Sequence, residues 1–153
     1  MDTQSKSDVL IVGAGPTGLV LGLWLTRLGV RVRIIDKTVE PGTTSRALAV
    51  QARTLEFYSQ LGIADAVVKQ GRWATAANLW ANGKRSAHMD FGAMGSGLSP
   101  FPYPLIFPQD EHERLLIETL SSSGVAIERR TELLGFQHAD VSVRVQLLKP
   151  DGT

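Results

Sequence analysis

Val9-Leu10-Ile11-Val12-Gly13-Ala14-Gly15-Pro16-Thr17-Gly18 is the stretch from which the rest of the chain can be read. Four apolar, β-favouring residues make a short continuous run, the pattern of a strand buried on both faces. Gly13-x-Gly15-x-x-Gly18 follows at once and opens a helical pattern that stops at Gly29. In such a turn the first glycine permits the sharp exit from the strand, and the second lets backbone approach a pyrophosphate. The third lets helix and strand pack closely. The helix then begins with free N–H groups and the positive end of its dipole where phosphates would lie. Gly22, one turn on, removes another side chain from the face that meets the strands.

A glycine turn alone is weak evidence, so the residues downstream decide. A second strand, Val30 to Ile35, ends in Asp36, eighteen residues beyond Gly18. An acid there can accept both hydrogen bonds of a ribose vicinal diol, and it would repel a 2′-phosphate. The blander alternative is an ordinary βαβ unit with a chance glycine turn and a solvated aspartate. It requires strand, glycines, helix, second strand and acid to fall into register by accident. The stretch is read as a dinucleotide site.

The remaining composition narrows the class. At 153 residues, 43% hydrophobic and 20% charged, with a formal net charge of +1, the chain has ordinary globular composition and length enough for a core. That charge balance gives no reason to invoke nucleic acid. Without cysteine there is no disulfide frame, thiol nucleophile or thiolate metal site. No apolar run reaches membrane-spanning length, and residues 1–8 are polar, without the apolar centre of a signal peptide. A cytoplasmic protein with no membrane partner and no metal is expected.

In chain order, a helix is expected from about Thr17 to Leu28, with Leu21, Leu25 and Leu28 at helical spacing. Pro41-Gly42 marks a turn before a Thr-Thr-Ser loop. Helices from about Gln51 to Leu61, with Leu55, Tyr58 and Leu61 on one face, and from Ile63 to Gln70 follow. Ala77 to Ala81 and Lys84 to Phe91 flank Asn82-Gly83, the signature of a hairpin with a type I′ turn. Phe101 to Pro108, with three prolines among aromatics after Pro100, predicts an extended path rather than a regular element. Asp110-x-x-Glu113 reads as a capping box opening a helix to about Ser121, with Leu116 and Leu120 inward and His112 and Arg114 at the surface. Val125 to Ile127 is expected to join the parallel sheet. Glu132 to Phe136 and Val141 to Leu147 read as antiparallel strands.

These motifs resemble the flavoprotein aromatic monooxygenases of the para-hydroxybenzoate hydroxylase type. The resemblance rests on Gly13-Ala-Gly15-Pro16-Thr17-Gly18, the acid at Asp36, Pro41, Ser45-Arg46-Ala47, Gln51-x-Arg53-Thr54-Leu55-Glu56 and Pro108-Gln109, and so covers nearly the whole chain. It implies an α/β, Rossmann-like FAD/NAD(P)-binding fold with a parallel sheet, a β-meander and the start of an antiparallel substrate-side sheet. Residues 1–72 would be the FAD-binding βαβ half. Residues 73–108 would begin the substrate-side β region and its return loop, and 109–153 would continue the FAD-binding domain into the meander.

By the same resemblance, FAD would lie along Gly13, Gly15, Pro16, Thr17 and Gly18, with Asp36 on its ribose. Arg46, between Ser45 and Ala47, would reach the phosphates or ribityl chain, as a guanidinium fork suits phosphate oxygens. Lys37 lies either over the adenine or in water. Arg53 is either a second flavin-side contact or a helix-surface charge paired with Glu56. Gln109 either meets the flavin's mixed polar edge or merely opens the helix. The implied reaction is hydroxylation of an aromatic substrate with O2, using NADH or NADPH as reductant, and no catalytic side chain is singled out because the cofactor carries the chemistry.

Two further motifs of the family, an Asp-Gly after the meander and a later Gly-Asp, have no counterpart here; Asp151-Gly152 reads as a hairpin turn. The chain is therefore expected to be the N-terminal portion of a longer enzyme, inactive alone. The partner of its last strand is expected beyond Thr153, so the fragment should self-associate. Other classes remain: a non-catalytic dinucleotide-binding or interaction module, or the FAD half of a flavin reductase or halogenase.

Overall fold

Short apolar runs punctuated by glycine become the elements of the structure. The computed structural model describes residues 6–42, 49–92 and 95–150. In chain order these form β1 (Val9–Val12), α1 (Pro16–Arg27), β2 (Val32–Ile35), β3 (Ala49–Val50), α2 (Ala52–Leu61), α3 (Ala64–Gln70), β4 (Arg72–Trp73) and β5 (Ala76–Ala81). Then come β6 (Lys84–Asp90), β7 (Leu105–Ile106), α4 (Gln109–Ser122), β8 (Ile127–Glu128), β9 (Glu132–Ala139) and β10 (Ser142–Leu148). They fall into two units, Met1–Thr43 with Glu113–Thr153, and Thr44–His112.

The first unit is built on a parallel sheet in the order β1-β2-β8. Val9 pairs with Val32 through to Val12 with Ile35, and Ile34 and Ile35 pair with Ile127 and Glu128. Ile34 and Ile35 of the central strand are fully buried, which explains the run of β-branched residues there. Arg33 interrupts that run, and its fork meets the Glu128 carboxylate at 2.6 and 2.7 Å, tying the third strand to the second. The expected third parallel strand is thus present, shifted to Ile127–Glu128.

Helix α1 buries Leu19, Gly22 and Leu23. A Cβ on Gly22 would sit 2.7 Å from Ile34 Cδ1 and 3.4 Å from Leu120 Cδ2, so the glycine brings the helix axis close to the sheet and to α4. Of the three leucines expected at helical spacing, Leu21 and Leu28 are exposed and Leu25 is half-buried, so that stripe is not the face α1 buries. The helix is apolar around most of its circumference, and its contact face combines Leu19 and Leu23 with the glycines Gly18 and Gly22. From α4, Leu116 and Leu120 are buried as expected, and Leu115 is buried beside them.

Strands β9 and β10 pair antiparallel, from Ala139 with Ser142 to Glu132 with Leu148. The expectation that the last strand's partner lies beyond the chain is corrected: Asp140 and Val141 form a tight connection that folds β10 back on β9, so Val141 belongs to the turn.

In the second unit β7 lies between β3 and β4, antiparallel to both. The proline-rich segment therefore contains a strand after all. Pro104 and Pro108 flank Leu105 and Ile106, whose own N–H groups remain available for the ladder. Helix α2 buries Leu55 and Tyr58 and ends at Gly62, whose φ of 78° is the left-handed stop that glycine permits. The β5–β6 hairpin closes through Asn82 and Gly83 with φ of 51° and 72°, the two positive values a type I′ turn requires.

Two expectations for α4 fail for stated reasons. The helix starts at Gln109, so Asp110 lies inside the first turn rather than at a cap. Glu113, expected to reach back to a capping partner, is buried and accepts the Gly42 N–H at 3.3 Å. His112 is not at the surface. It is buried and hydrogen-bonded through Nε2 to the Tyr58 hydroxyl at 2.7 Å, because a buried phenol needs a polar partner. Burial pushes the Tyr58 hydroxyl up to about 12. No helix among the described residues is long and apolar enough to cross a membrane.

Candidate functional site

The glycine turn is shaped as its sequence requires. Gly13 leaves β1 at a φ of 110°, open to glycine and costly for other residues, while its N–H continues the ladder to Ile35 O at 2.8 Å. Gly15 is the N-cap of α1, with φ −80° and ψ 178°, no side chain caps the helix, and Pro16 occupies the start of its first turn. The Leu19 N–H donates to Gly15 O at 3.0 Å, the first bond of the helix, so the amides of Thr17 and Gly18 precede the intrahelical ladder. A Cβ added to Gly13 or Gly15 would meet no atom within 4 Å, whereas one on Gly18 would collide with the Gly13 carbonyl oxygen. The first two glycines thus face open space, and the third is needed for packing. Open space over uncapped amides at the positive end of a helix fits a pyrophosphate.

Asp36 sits where β2 ends, its side chain 14% exposed. Its Oδ2 accepts the Ala14 N–H at 2.6 Å, so the acid is fastened directly to the glycine turn. Its Oδ1 accepts the Thr38 N–H at 2.7 Å and the Thr38 hydroxyl at 2.6 Å. Arg129, immediately after β8, places Nη1 3.8 Å from Oδ1 and donates to Thr38 Oγ1 at 3.1 Å. Burial works against the charged carboxylate and is the largest single influence. The Thr38 hydroxyl, the Ala14 and Thr38 amides and the Arg129 charge together outweigh it and hold Asp36 below its ordinary range. Asp36 is thus an ionised acceptor fixed in place, suited to a ribose diol.

Backbone bonds lace the same corner together. The Asp36 N–H donates to Glu128 O at 2.9 Å, the Thr131 N–H to Asp36 O at 3.0 Å, and the Arg130 N–H to Thr38 O at 3.2 Å. Neither Thr38 nor Arg129 was singled out in the sequence. Thr38 carries a local signal, because an aspartate two residues before a threonine is disposed to accept from its amide and hydroxyl. Arg129 carries none; its place follows only from the pairing of β8 with β2.

Gly13, Gly15, Pro16, Thr17, Gly18 and Asp36 are therefore brought together in one unit. Lys37 follows Asp36 and is exposed. Arg53, in the other unit, is an exposed helix residue whose Nη1 lies 2.8 Å from Glu56 Oε2 and whose guanidinium covers the Phe57 ring at 4.6 Å. Gln109 is the first residue of α4. Ser45, Arg46 and Ala47, like Asp151-Gly152, lie outside the described residues.

A parallel βαβ unit with this turn and this acid defines a dinucleotide-binding α/β protein. Over residues 6–153 the chain matches the family described as FAD binding domain. It belongs to that family, as the FAD-binding domain of the aromatic-ring flavin monooxygenases. It is 45% identical over 126 residues to a 6-methylpretetramide 4-monooxygenase of Streptomyces rimosus, covering 82% of this chain and 22% of that protein. It is 34% identical over 149 residues to a rifampicin monooxygenase of Rhodococcus hoagii, covering 96% of this chain and 29% of that one. Among solved structures, aklavinone-11 hydroxylase in a ternary complex with FAD and aklavinone superposes with a TM-score of 0.83 at 30% identity, over 99% of this chain and 31% of the other. The chain thus spans less than a third of the length of these relatives.

Proposed function

We propose that this chain holds FAD in a protein that hydroxylates an aromatic substrate with O2, using NADH or NADPH as reductant. The observation that carries the reading is the Ala14–Asp36 bond. It locks a phosphate-shaped turn to an ionised ribose acceptor, as a tightly held dinucleotide requires. FAD, when bound, supplies the redox and oxygen chemistry. Gly13, Gly15, Pro16, Thr17 and Gly18 then receive its pyrophosphate and Asp36 its ribose. Lys37, Arg46 with Ser45 and Ala47, Arg53 and Gln109 are the further contacts in this reading. The natural protein should purify yellow and release FAD on denaturation. A colourless protein that binds only NAD(H) would overturn the proposal.

The reading extends to the behaviour of residues 1–153 alone, which self-associate and turn over no substrate. Support comes from β9 and β10, where Leu134, Phe136 and Val143 are all exposed. Val145 pairs directly with Phe136, and the face they share is apolar except for His138, which pairs with Val143. Among the described residues β1 also has a partner on one side only, and an open strand edge invites pairing with another chain. Light scattering of the isolated chain should show mass rising with concentration. A monomer unchanged by concentration would sink this part of the proposal.

A further inference from the structure

Arg129 is expensive for what it does locally. Its side chain is only 19% exposed, one guanidinium nitrogen serves Thr38 Oγ1, and Nη2 is buried with no hydrogen-bond partner among the described residues. An arginine retained simply to knit two segments together would fill its fork, since an unpaired buried donor is costly. Arg33, one strand over, does so, with two short bonds to Glu128. The one place where Arg129 delivers charge is the Oδ1 side of Asp36, directly at 3.8 Å and through the Thr38 hydroxyl at 3.1 and then 2.6 Å.

We infer that Arg129 is a positioning residue for cofactor binding: with Thr38 it holds the Asp36 carboxylate in one orientation for the ribose diol. The geometry divides the work. Oδ1 is occupied by Thr38 from both its amide and its hydroxyl, and Oδ2 is fixed by the Ala14 amide. With both oxygens oriented, the carboxylate cannot rotate, and the one lone pair left free by these three bonds, on Oδ2, keeps a fixed direction. The charged group facing Asp36 among the described residues is Arg129; the other partners, Ala14 and Thr38, are neutral. The arrangement is held by backbone as well, since Arg130 at a φ of 53° turns the chain straight after Arg129, with its N–H on Thr38 O.

This inference rests on the reading that the site takes FAD, and the experiment separates the two. FAD dissociation constants are measured at pH 7 on the apo form of the natural protein and on Arg129→Gln, Arg129→Lys, Thr38→Val, Asp36→Asn and the Arg129→Gln/Asp36→Asn double variant, each checked for its melting transition. Arg129→Gln should weaken FAD binding about tenfold, the scale of one charge-assisted contact. Arg129→Lys, which restores the charge, should recover part of the loss, and Thr38→Val, which removes the hydroxyl relay, should lose several-fold. The decisive result is the double variant, which should bind no more weakly than Asp36→Asn alone, because Arg129 acts through Asp36.

Additive losses would show that Arg129 works independently of Asp36 and would overturn the inference. So would Arg129→Gln binding as the unaltered protein does. If Arg129→Gln fails to fold, Thr38→Val decides, since it changes one exposed side chain by a near-isosteric swap; full affinity there overturns the relay. A natural apoprotein with no affinity for FAD would overturn the function proposal, and the inference with it.

Discussion

Alanine at position 18 should cost about 3 kcal/mol of stability or more, because its methyl group has nowhere to go. The obstacle is the Gly13 carbonyl rather than a flexible side chain. Gly13 cannot retreat without breaking its bond to Ile35 O, and its neighbour Ala14 is held by Asp36. For a chain of this length that loss lowers the melting temperature by roughly 6–12 °C. Gly15→Ala is the informative contrast. Its φ of −80° suits alanine and no atom lies within 4 Å of the new Cβ, so the melting temperature should stay within about 2 °C. FAD affinity should nevertheless fall about a hundredfold or more, because the methyl group occupies space proposed for the pyrophosphate. Thermal melts and FAD titrations of the two variants test this together. If Gly15→Ala bound FAD normally, the open space above the turn would not be the phosphate site.

Asp36→Ala is expected to damage both binding and fold. Losing a charged acceptor to the ribose should weaken FAD binding roughly ten- to a hundred-fold. The same change strips partners from the Ala14 and Thr38 amides and leaves Arg129 without its counter-charge, costing about 2–3 kcal/mol. The pH dependence has a definite sign. Asp36 is held below its ordinary value of 3.8, so the folded state prefers the ionised form. The stability this contributes is complete above that value and is lost as pH falls through the lowered one. Melting temperatures recorded on acidification below about pH 4 should therefore drop more steeply for the natural protein than for Asp36→Ala. Parallel acid profiles would mean that Asp36 carries no such linkage.

The β1-α1-β2 unit was legible because its signals are local: an apolar run, three glycines at fixed spacing and an acid at the end of the next apolar run. The Asn82-Gly83 turn was legible for the same reason. What escaped notice depends on distant partners. Strands β3, β4 and β7 are two residues each, too short for any periodicity. His112 lies among charged residues, and only the position of Tyr58 shows why it is buried. In α1 nearly every position is apolar, so the helical spacing of Leu21, Leu25 and Leu28 does not single out the face that Leu19, Gly22 and Leu23 bury. Arg129 was invisible for a related reason: a basic residue after a strand reads as solvated until that strand is known to lie beside Asp36.

The division of the chain has a kinetic consequence. One unit is a single uninterrupted segment, Thr44–His112, whereas the other is assembled from two segments on either side of it. The bond between Arg33 and Glu128 joins residues 95 apart in sequence. Closing so long a loop carries an entropic penalty before any contact rewards it, and contacts of this separation slow folding. The α2–α3 pair and the β5–β6 hairpin need no such closure and can form early. By the same logic β8 docks on β2 late, and Asp36 acquires Arg129 only at that step. A nascent chain therefore completes the corner around Asp36 only after residues 127–131 have been made and carried back to β2.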